Sequence, residues 1–327
     1  MGSKQSLLPF LFRHLDPLKY ETVLDAFAGS CCVSYEFKKK GKSVVTNDFL
    51  HWSYVIAKAL IENNSVRIDD QTLSKLMTPR SDAPTKVTDI FSNLFFTEVE
   101  CVFLDSLWAN IADLEDKSQQ YVAITAACRA VQKKRPRGIF TFTGKKSWDN
   151  RRDLKISFQE QFANAVRLLN DAIFDNGRKH RASCSNIMEL SDRNFDLVYL
   201  DPPYWSPLSD NDYVRRYHFV EGYSRYWDGL EIDLSTRSKK FKSYESVFSQ
   251  KASATKALQT LFERYANSII AVSYSSNGYP KKSEILSMLS SVKARVEVFE
   301  AEHTYSFGNQ GGKKVKNRVR EYLFIGE

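Results

Sequence analysis

Phe195-Asp196-Leu197-Val198-Tyr199-Leu200-Asp201-Pro202-Pro203-Tyr204-Trp205 is an apolar run that breaks off at two consecutive prolines. Proline fixes φ and removes a backbone donor, so the pattern predicts a buried strand whose carboxyl end is a rigid turn. In an open α/β sheet, a turn at that end faces the ligand crevice. Here it offers a carboxylate acceptor in Asp201, a carbonyl at Pro202 and a flat aromatic face in Tyr204. Those groups suit an exocyclic amine held by two hydrogen bonds while a planar base stacks alongside. The plainer reading is an ordinary Asp-Pro turn ending a strand.

Upstream, Thr22-Val23-Leu24-Asp25-Ala26-Phe27-Ala28-Gly29-Ser30 is a short apolar strand running into a turn of small residues, followed by a helix that ends at Gly41. Small residues let backbone amides approach a ligand, and the next helix presents unpaired N–H groups. The arrangement suits a carboxylate or a ribose. A second strand, Ser43-Val44-Val45-Thr46-Asn47-Asp48-Phe49, places an acid about 20 residues beyond the glycine turn, where it can accept from both ribose hydroxyls. The alternative is that Asn47 and Asp48 cap the following helix, which carries Trp52, Val55, Ile56, Ala59 and Leu60. No G-x-G-x-x-G fingerprint is present, which counts against a dehydrogenase.

The chain has 327 residues, 43% of them hydrophobic, enough for one large domain or two of ordinary size. No apolar run reaches the length of a membrane span, and the N-terminus lacks a signal peptide's basic flank and apolar core. A cytoplasmic protein with no membrane partner is expected. The five cysteines are odd in number and show no C-x-x-C spacing, so neither a disulfide framework nor a metal site is expected. They read as reduced and mostly buried. A net charge of +8 fits a polyanionic partner, and nucleic acid is the natural candidate.

From Ser65 to Asn150, strand alternation gives way to helical spacing. Thr97-x-x-Glu100 makes a capping box ahead of Val99, Val102, Phe103, Leu107, Ile111 and Leu114, and a second helix is expected from Ser118 to Lys133. The most basic stretch follows: Arg129, Lys133, Lys134, Arg135, Arg137, Lys145, Lys146, Arg151, Arg152 and Lys155, interleaved with Phe140, Phe142 and Trp148. Aromatics among cations point to phosphate contact combined with base-edge or stacking contact, against the ordinary reading of a solvated face. Ser157-x-x-Glu160 opens another helix, whose stripe of Phe158, Phe162, Val166, Leu169 and Ile173 is expected to pack on the sheet. Residues Ala182 to Ile187 read as a brief strand.

Beyond Trp205, an insertion from Ser206 to Ser253 carries Tyr213, Tyr217, His218, Phe219, Tyr226 and Trp227, then the cations Arg237, Lys239, Lys240 and Lys242. Its aromatics are either packing or a lid over an extruded base, and the solitary His218 reads as structural. The chain closes with a strand at Ser268 to Tyr274, a Gly278-Tyr279-Pro280 break, a helix from Ser283, and two strands flanking the basic loop Ser306 to Lys316.

Asp201-Pro202-Pro203-Tyr204 resembles the catalytic motif of amino-group methyltransferases that use S-adenosylmethionine. A G-x-K-x-x-L start (Gly2, Lys4, Leu7), the Phe27-Ala28-Gly29 turn, the strand-end Asp48 and the closing Glu321-Tyr322-Leu323 are also present, in the same order as in the D12 class (Dam-like) N6-adenine-specific DNA methyltransferases. The resemblance implies an α/β fold, a Rossmann-like S-adenosylmethionine-dependent methyltransferase sheet with helical and irregular insertions for DNA recognition. The catalytic domain would comprise 1–64, 155–205 and 254–327, with a basic target-recognition insertion at 65–154 and a second insertion at 206–253. S-adenosyl-L-methionine would be the cofactor and duplex DNA with an adenine-containing site the partner, with a cognate restriction enzyme or other defence component as a further candidate.

By the same resemblance, Asp201, Pro202 and Tyr204 are catalytic, and Lys4 closes over the cofactor's amino-acid end. Phe27, Ala28, Gly29, Asp48 and Asn186 bind the cofactor. Arg135, Arg137, Lys145, Lys146, Arg151, Arg152, Lys239 and Lys240 are the DNA-contact candidates. The chain departs from the family pattern twice: Cys31 stands where a second glycine belongs, and the neutral Asn186 stands near the family's aspartate. The same pocket suits adenine in RNA or cytosine N4, and a non-catalytic nucleic-acid-binding subunit would keep the same fold.

Overall fold

A computed structural model of the chain describes residues 4–135, 140, 151–205, 212–305 and 317–327. The chain divides into two compact units: Met1–Phe49 with Asn176–Asp212 and Glu245–Glu327, and Leu50–Asp175 with Tyr213–Tyr244.

The first unit holds a seven-stranded sheet of β1 (Thr22–Asp25), β2 (Ser43–Asp48), β3 (Arg181–Cys184), β4 (Leu197–Leu200), β5 (Ile269–Ser275), β6 (Val296–Tyr305) and β7 (Asn317–Gly326). Their order is β3-β2-β1-β4-β5-β7-β6. The first five run parallel, and β7 is antiparallel to both β5 and β6. All four residues of β4 are buried, as a central parallel strand covered on both faces requires. That double burial is why its sequence shows no alternation.

On one face, Leu24, Val198, Leu200, Ile270 and Val272 pack with Leu258, Leu261 and Phe262 of helix Lys251–Arg264 and with Ile285 and Leu289 of helix Lys282–Ser290. On the other, Tyr199 lies edge-on to Phe37 of helix Cys32–Lys39, which in turn meets Phe12 of helix Leu8–Leu15. Helices on both faces of a mostly parallel sheet give the Rossmann-like methyltransferase architecture expected from the sequence. From β1 the sheet continues through β2 to β3 on one side and through β4 to β5 on the other. The carboxyl ends of β1 and β4 therefore open at the topological switch point, where such sheets bind ligands.

Among the described residues, the regular elements of the second unit are helices, joined by turns and two isolated β-bridges. Its capping box forms as the spacing predicts: Thr97 Oγ1 accepts the Glu100 N–H at 3.3 Å, and the Glu100 carboxylate accepts the Thr97 N–H at 2.9 Å. Asp116 caps the following helix, Lys117–Lys134. Phe91, Phe95, Phe96, Phe140 and Phe219 form an aromatic core.

One expectation changes here and one open alternative closes. Helix Phe158–Ala172 lies in this unit, not on the sheet; it packs on Lys117–Lys134, with the Phe158 ring 5.3 Å from that of Phe96. An apolar stripe demands a partner without naming it. Phe219, Tyr223 and Trp227 are buried in the aromatic core, so these aromatics of the second insertion are packing and no lid. Gly222 is part of that packing, because a Cβ there would fall 2.1 Å from Trp227 Nε1. His218 is fully buried with Nε2 3.2 Å from the Phe140 carbonyl, and burial pushes its pKa down to about 3, in keeping with a structural role.

Candidate active site

The neighbouring strands β2 and β1 end in Asp48 and Asp25, and β4 runs directly into Asp201. Three carboxylates thus line the carboxyl edge of the sheet on either side of the switch point. Asp25, 1% exposed, was not singled out from the sequence. Its Oδ2 accepts from Ser34 Oγ at 2.5 Å, while Oδ1 has no hydrogen-bond partner among the described residues. Burial raises its pKa to about 7; the Ser34 hydroxyl works against this, and the nearby Asp201 and Asp48 carboxylates reinforce it. The available signal was an acid ending an apolar strand, the same signal that marked Asp48.

The glycine turn is tied to β2. Ala28 N–H donates to Asn47 O at 2.9 Å, and Gly29 N–H donates to Asp48 Oδ2 at 2.8 Å. The N-cap position of the next helix, His51–Ala57, is Leu50 and not Asp48. Gly29 has φ +51°, a conformation glycine adopts without penalty. Cys31, at φ +58°, enters the helix Cys32–Lys39 in the same left-handed region, with a buried thiol that burial pushes well above its ordinary pKa. The Phe27 ring stands edge-on to Phe248 at 5.2 Å. Asn47, between the sequence candidates, binds β3 and its exit: its Oδ1 accepts from Ser183 Oγ and Ser185 Oγ, both at 2.9 Å. Asn186 Oδ1 accepts the Met188 N–H at 3.1 Å, capping a short 3-10 turn.

Lys4 opens the 3-10 turn Lys4–Leu7 and is 4% exposed. Its Nζ lies 3.3 Å from Asp201 Oδ1 and 3.0 Å from Oε2 of Glu321, a buried residue of β7. Burial acts to lower the Lys4 pKa, but the two carboxylates outweigh it and hold the ammonium well above its usual range. Asp201, with a 21% exposed side chain, is pushed up to about 6: burial raises it, Lys4 lowers it and Glu321 raises it. The group is thus ionised at neutral pH with little margin. Pro202 is buried and Tyr204 half-buried, the Tyr204 ring 5.5 Å from that of Tyr274.

Of the cationic candidates, Arg137, Lys145 and Lys146 lie outside the described residues. Arg135, Arg151, Arg152, Lys239 and Lys240 belong to the second unit. Arg151 Nη2 donates to Arg135 O at 2.6 Å, Arg152 is exposed, and Lys239 Nζ donates to the Leu234 carbonyl of its own loop. None of the five cysteines forms a disulfide; Cys31, Cys101 and Cys128 are buried, Cys32 intermediate and Cys184 exposed. Among the described residues no His, Cys, Asp and Glu cluster could hold a metal, and no helix is long and apolar enough to cross a membrane.

A sheet of this order, with a glycine turn and an Asp-Pro-Pro-Tyr turn meeting at the switch point, defines an α/β methyltransferase acting on an amino group. Residues 1–277 match the family model for D12 class N6 adenine-specific DNA methyltransferase, and the chain belongs to that family of adenine-specific DNA-modifying enzymes. It is 29% identical to Type II methyltransferase M2.HphI of Haemophilus parahaemolyticus, the alignment covering 100% of this chain and 96% of that one. It is 26% identical to Modification methylase StsI of Streptococcus sanguinis, over 88% of this chain but 45% of the relative. Type II methyltransferase M.CviAII of Paramecium bursaria Chlorella virus 1 is 24% identical, with 99% and 97% covered.

Proposed function

We propose that the enzyme takes its methyl group from S-adenosylmethionine and delivers it to N6 of an adenine flipped out of a DNA duplex into the turn after β4. Flipping is needed because the stacked base is unreachable, and the few kcal/mol of unstacking are offset by stacking on Tyr204. The N6 amine donates one hydrogen bond to Asp201 and one to the Pro202 carbonyl, which turns the nitrogen lone pair toward the methyl group. With the methyl group passing from the cofactor's sulfur to N6, positive charge would grow on N6 beside the Asp201 carboxylate, which would take the surplus N6 proton and return it to solvent. Orientation and this electrostatic stabilisation are the catalytic terms, and no covalent enzyme intermediate is involved.

The residues present fit the cofactor. The unsatisfied Oδ1 of buried Asp25 suits its cationic ammonium. Asp48 suits the ribose hydroxyls, and Phe27, Ala28 and Gly29 wall the site. Asn186, whose Oδ1 also accepts the Met188 N–H, would offer the cofactor's adenine amine a neutral acceptor. Two of the three N–H donors of Lys4 serve Asp201 and Glu321, and the third suits the cofactor's carboxylate. S-adenosylmethionine, when bound, supplies an electrophilic methyl group; the remaining work is done by these side chains. The observation that carries the reading is the convergence of Asp25, Asp48 and Asp201 on adjacent strand ends beside the glycine turn.

Arg135, Arg151, Arg152, Lys239 and Lys240, with Arg137, Lys145 and Lys146, make the phosphate contacts, and 65–154 supplies much of the target recognition. The enzyme works in the cytoplasm. The names of its relatives support pairing with a cognate restriction enzyme as a type II modification partner. The test is incubation with labelled S-adenosylmethionine and unmethylated DNA, digestion to nucleosides and identification by mass. Label in N6-methyldeoxyadenosine is expected; label only from RNA, or only in N4-methylcytosine, overturns the proposal.

A further inference from the structure

Gly278 follows β5 in a segment whose sequence reads only as a chain break. Its N–H donates to Ser275 O at 3.0 Å, and the residue is buried. A Cβ built on it would lie 2.9 Å from both Cβ and Cγ of Tyr204 and 2.8 Å from Cε1 of Tyr274. Non-bonded carbons prefer roughly 3.5–4.0 Å, so something must move. Unlike Gly29, Gly278 is not among the residues with positive φ. Its glycine is required for space, not backbone freedom. The obstructed atoms are the root of the Tyr204 side chain, which cannot swing aside without its backbone.

The loop has no room to retreat. Tyr279 N–H donates to Trp205 O at 2.9 Å, joining the loop to the residue after Tyr204. The hydroxyl of Tyr274, itself 2% exposed, donates to the Tyr279 carbonyl. The ammonium groups of Lys281 and Lys251 stand 3.9 Å and 4.4 Å from the centre of the Tyr279 ring. The two segments are therefore pinned together on either side of the Gly278–Tyr204 contact.

We infer that Gly278 is a positioning residue for methyl transfer, its missing side chain being the space that sets the Tyr204 ring against the target base. This rests on the reading of Tyr204 as the stacking partner of adenine. Misplacing a reacting group by about 1 Å costs on the order of a hundredfold in rate. Gly278→Ala should therefore lower kcat by about tenfold or more while cofactor affinity, read by calorimetry on the full chain, stays unchanged. The fluorescence of a 2-aminopurine placed at the target position should report an altered flipped state.

Tyr204→Ala is the partner in a double-mutant cycle, because contacting residues couple and distant ones add. In the Tyr204→Ala background, which keeps Cβ but lacks the ring to be positioned, Gly278→Ala should lower kcat by a much smaller factor than it does in the wild type. Equal fractional losses in both backgrounds, or an unchanged kcat in Gly278→Ala beside an inactive Tyr204→Ala, overturn this inference alone. An unchanged kcat in Tyr204→Ala overturns the stacking reading as well. Should Gly278→Ala fail to fold, Tyr274→Phe loosens the same loop at the Tyr279 carbonyl: a lowered kcat with unchanged cofactor affinity supports the inference, and an unchanged kcat overturns it.

Discussion

Lys4 Nζ lies 3.3 Å from Asp201 Oδ1, and the same ammonium is held by Glu321 Oε2 at 3.0 Å. One cation brings the start of the chain, the turn after β4 and the last strand to a single point. Removing Lys4 would strand the Asp201 and Glu321 charges in a low-dielectric site, so the cation bears on the protonation state of Asp201 and on stability alike.

The acid limb of the reaction follows from that pair. Asp201 protonates as pH falls through about 6, and a protonated oxygen donates where N6 needs an acceptor. Activity should be full above that value and fall below it. Lys4 lowers the Asp201 pKa, so Lys4→Met should move the limb of kcat/KM to higher pH. A pH–rate profile checks the sign, and an unmoved limb refutes the coupling.

Asp201→Ala should lower single-turnover methyl transfer by about 10²–10³-fold or more, the usual loss when a group stabilising developing charge is removed. Binding of S-adenosylmethionine, measured by calorimetry, should be nearly intact. Turnover retained in this variant would remove Asp201 from the mechanism.

Asp25→Asn tests the cofactor site. A hydrogen bond to a charged group is worth roughly 1.5–3 kcal/mol, so the cofactor Kd should rise by about tenfold to a hundredfold. Stability should respond in the opposite sense. Asp25 in the unfolded chain ionises near 3.8 and in the folded chain near 7, so the native state binds the extra proton between those values, and its stability falls as pH rises through that window. Asp25→Asn should flatten that fall in thermal melts; a steeper fall contradicts the assignment.

Gly29→Ala should destabilise by about 1–2 kcal/mol, the penalty for a Cβ in the left-handed region. Space is not the reason, since the nearest atom to the added carbon, Phe27 O, is 3.9 Å away. Chemical denaturation reads the loss, and a neutral result means that the turn relaxes out of φ +51°.

Arg152→Gln, at an exposed position, should weaken DNA binding alike for all sequences and reduce the slope of log K against log salt by about one. Loss confined to one DNA sequence would make Arg152 a base reader instead.

The strands that carry the site were legible because each pairs an apolar run with an abrupt end: Leu197–Leu200 before the prolines, Thr22–Asp25 before the small residues, Ser43–Asp48 ending in an acid. Capping chemistry is equally local, so Thr97 and Glu100 could be matched from their spacing. Helix Phe158–Ala172 was expected on the sheet and packs instead on Lys117–Lys134, because periodicity defines which face is buried and says nothing of what covers it. For the same reason, the choice between packing and lid for Phe219 and Trp227 required the core they enter.

The order of motifs, through its resemblance to the D12 class, was enough to expect an α/β methyltransferase, and the punctuation by proline and glycine placed the strand ends, since those signals act over a few residues of backbone. Only the tertiary structure decided that Lys4 and Glu321 converge on Asp201, that Asp25 is buried with an unsatisfied oxygen, and that Gly278 makes room for Tyr204. These are contacts between segments far apart in sequence. They depend on strand order and register, which distribute burial and charge in space and leave no local pattern to read.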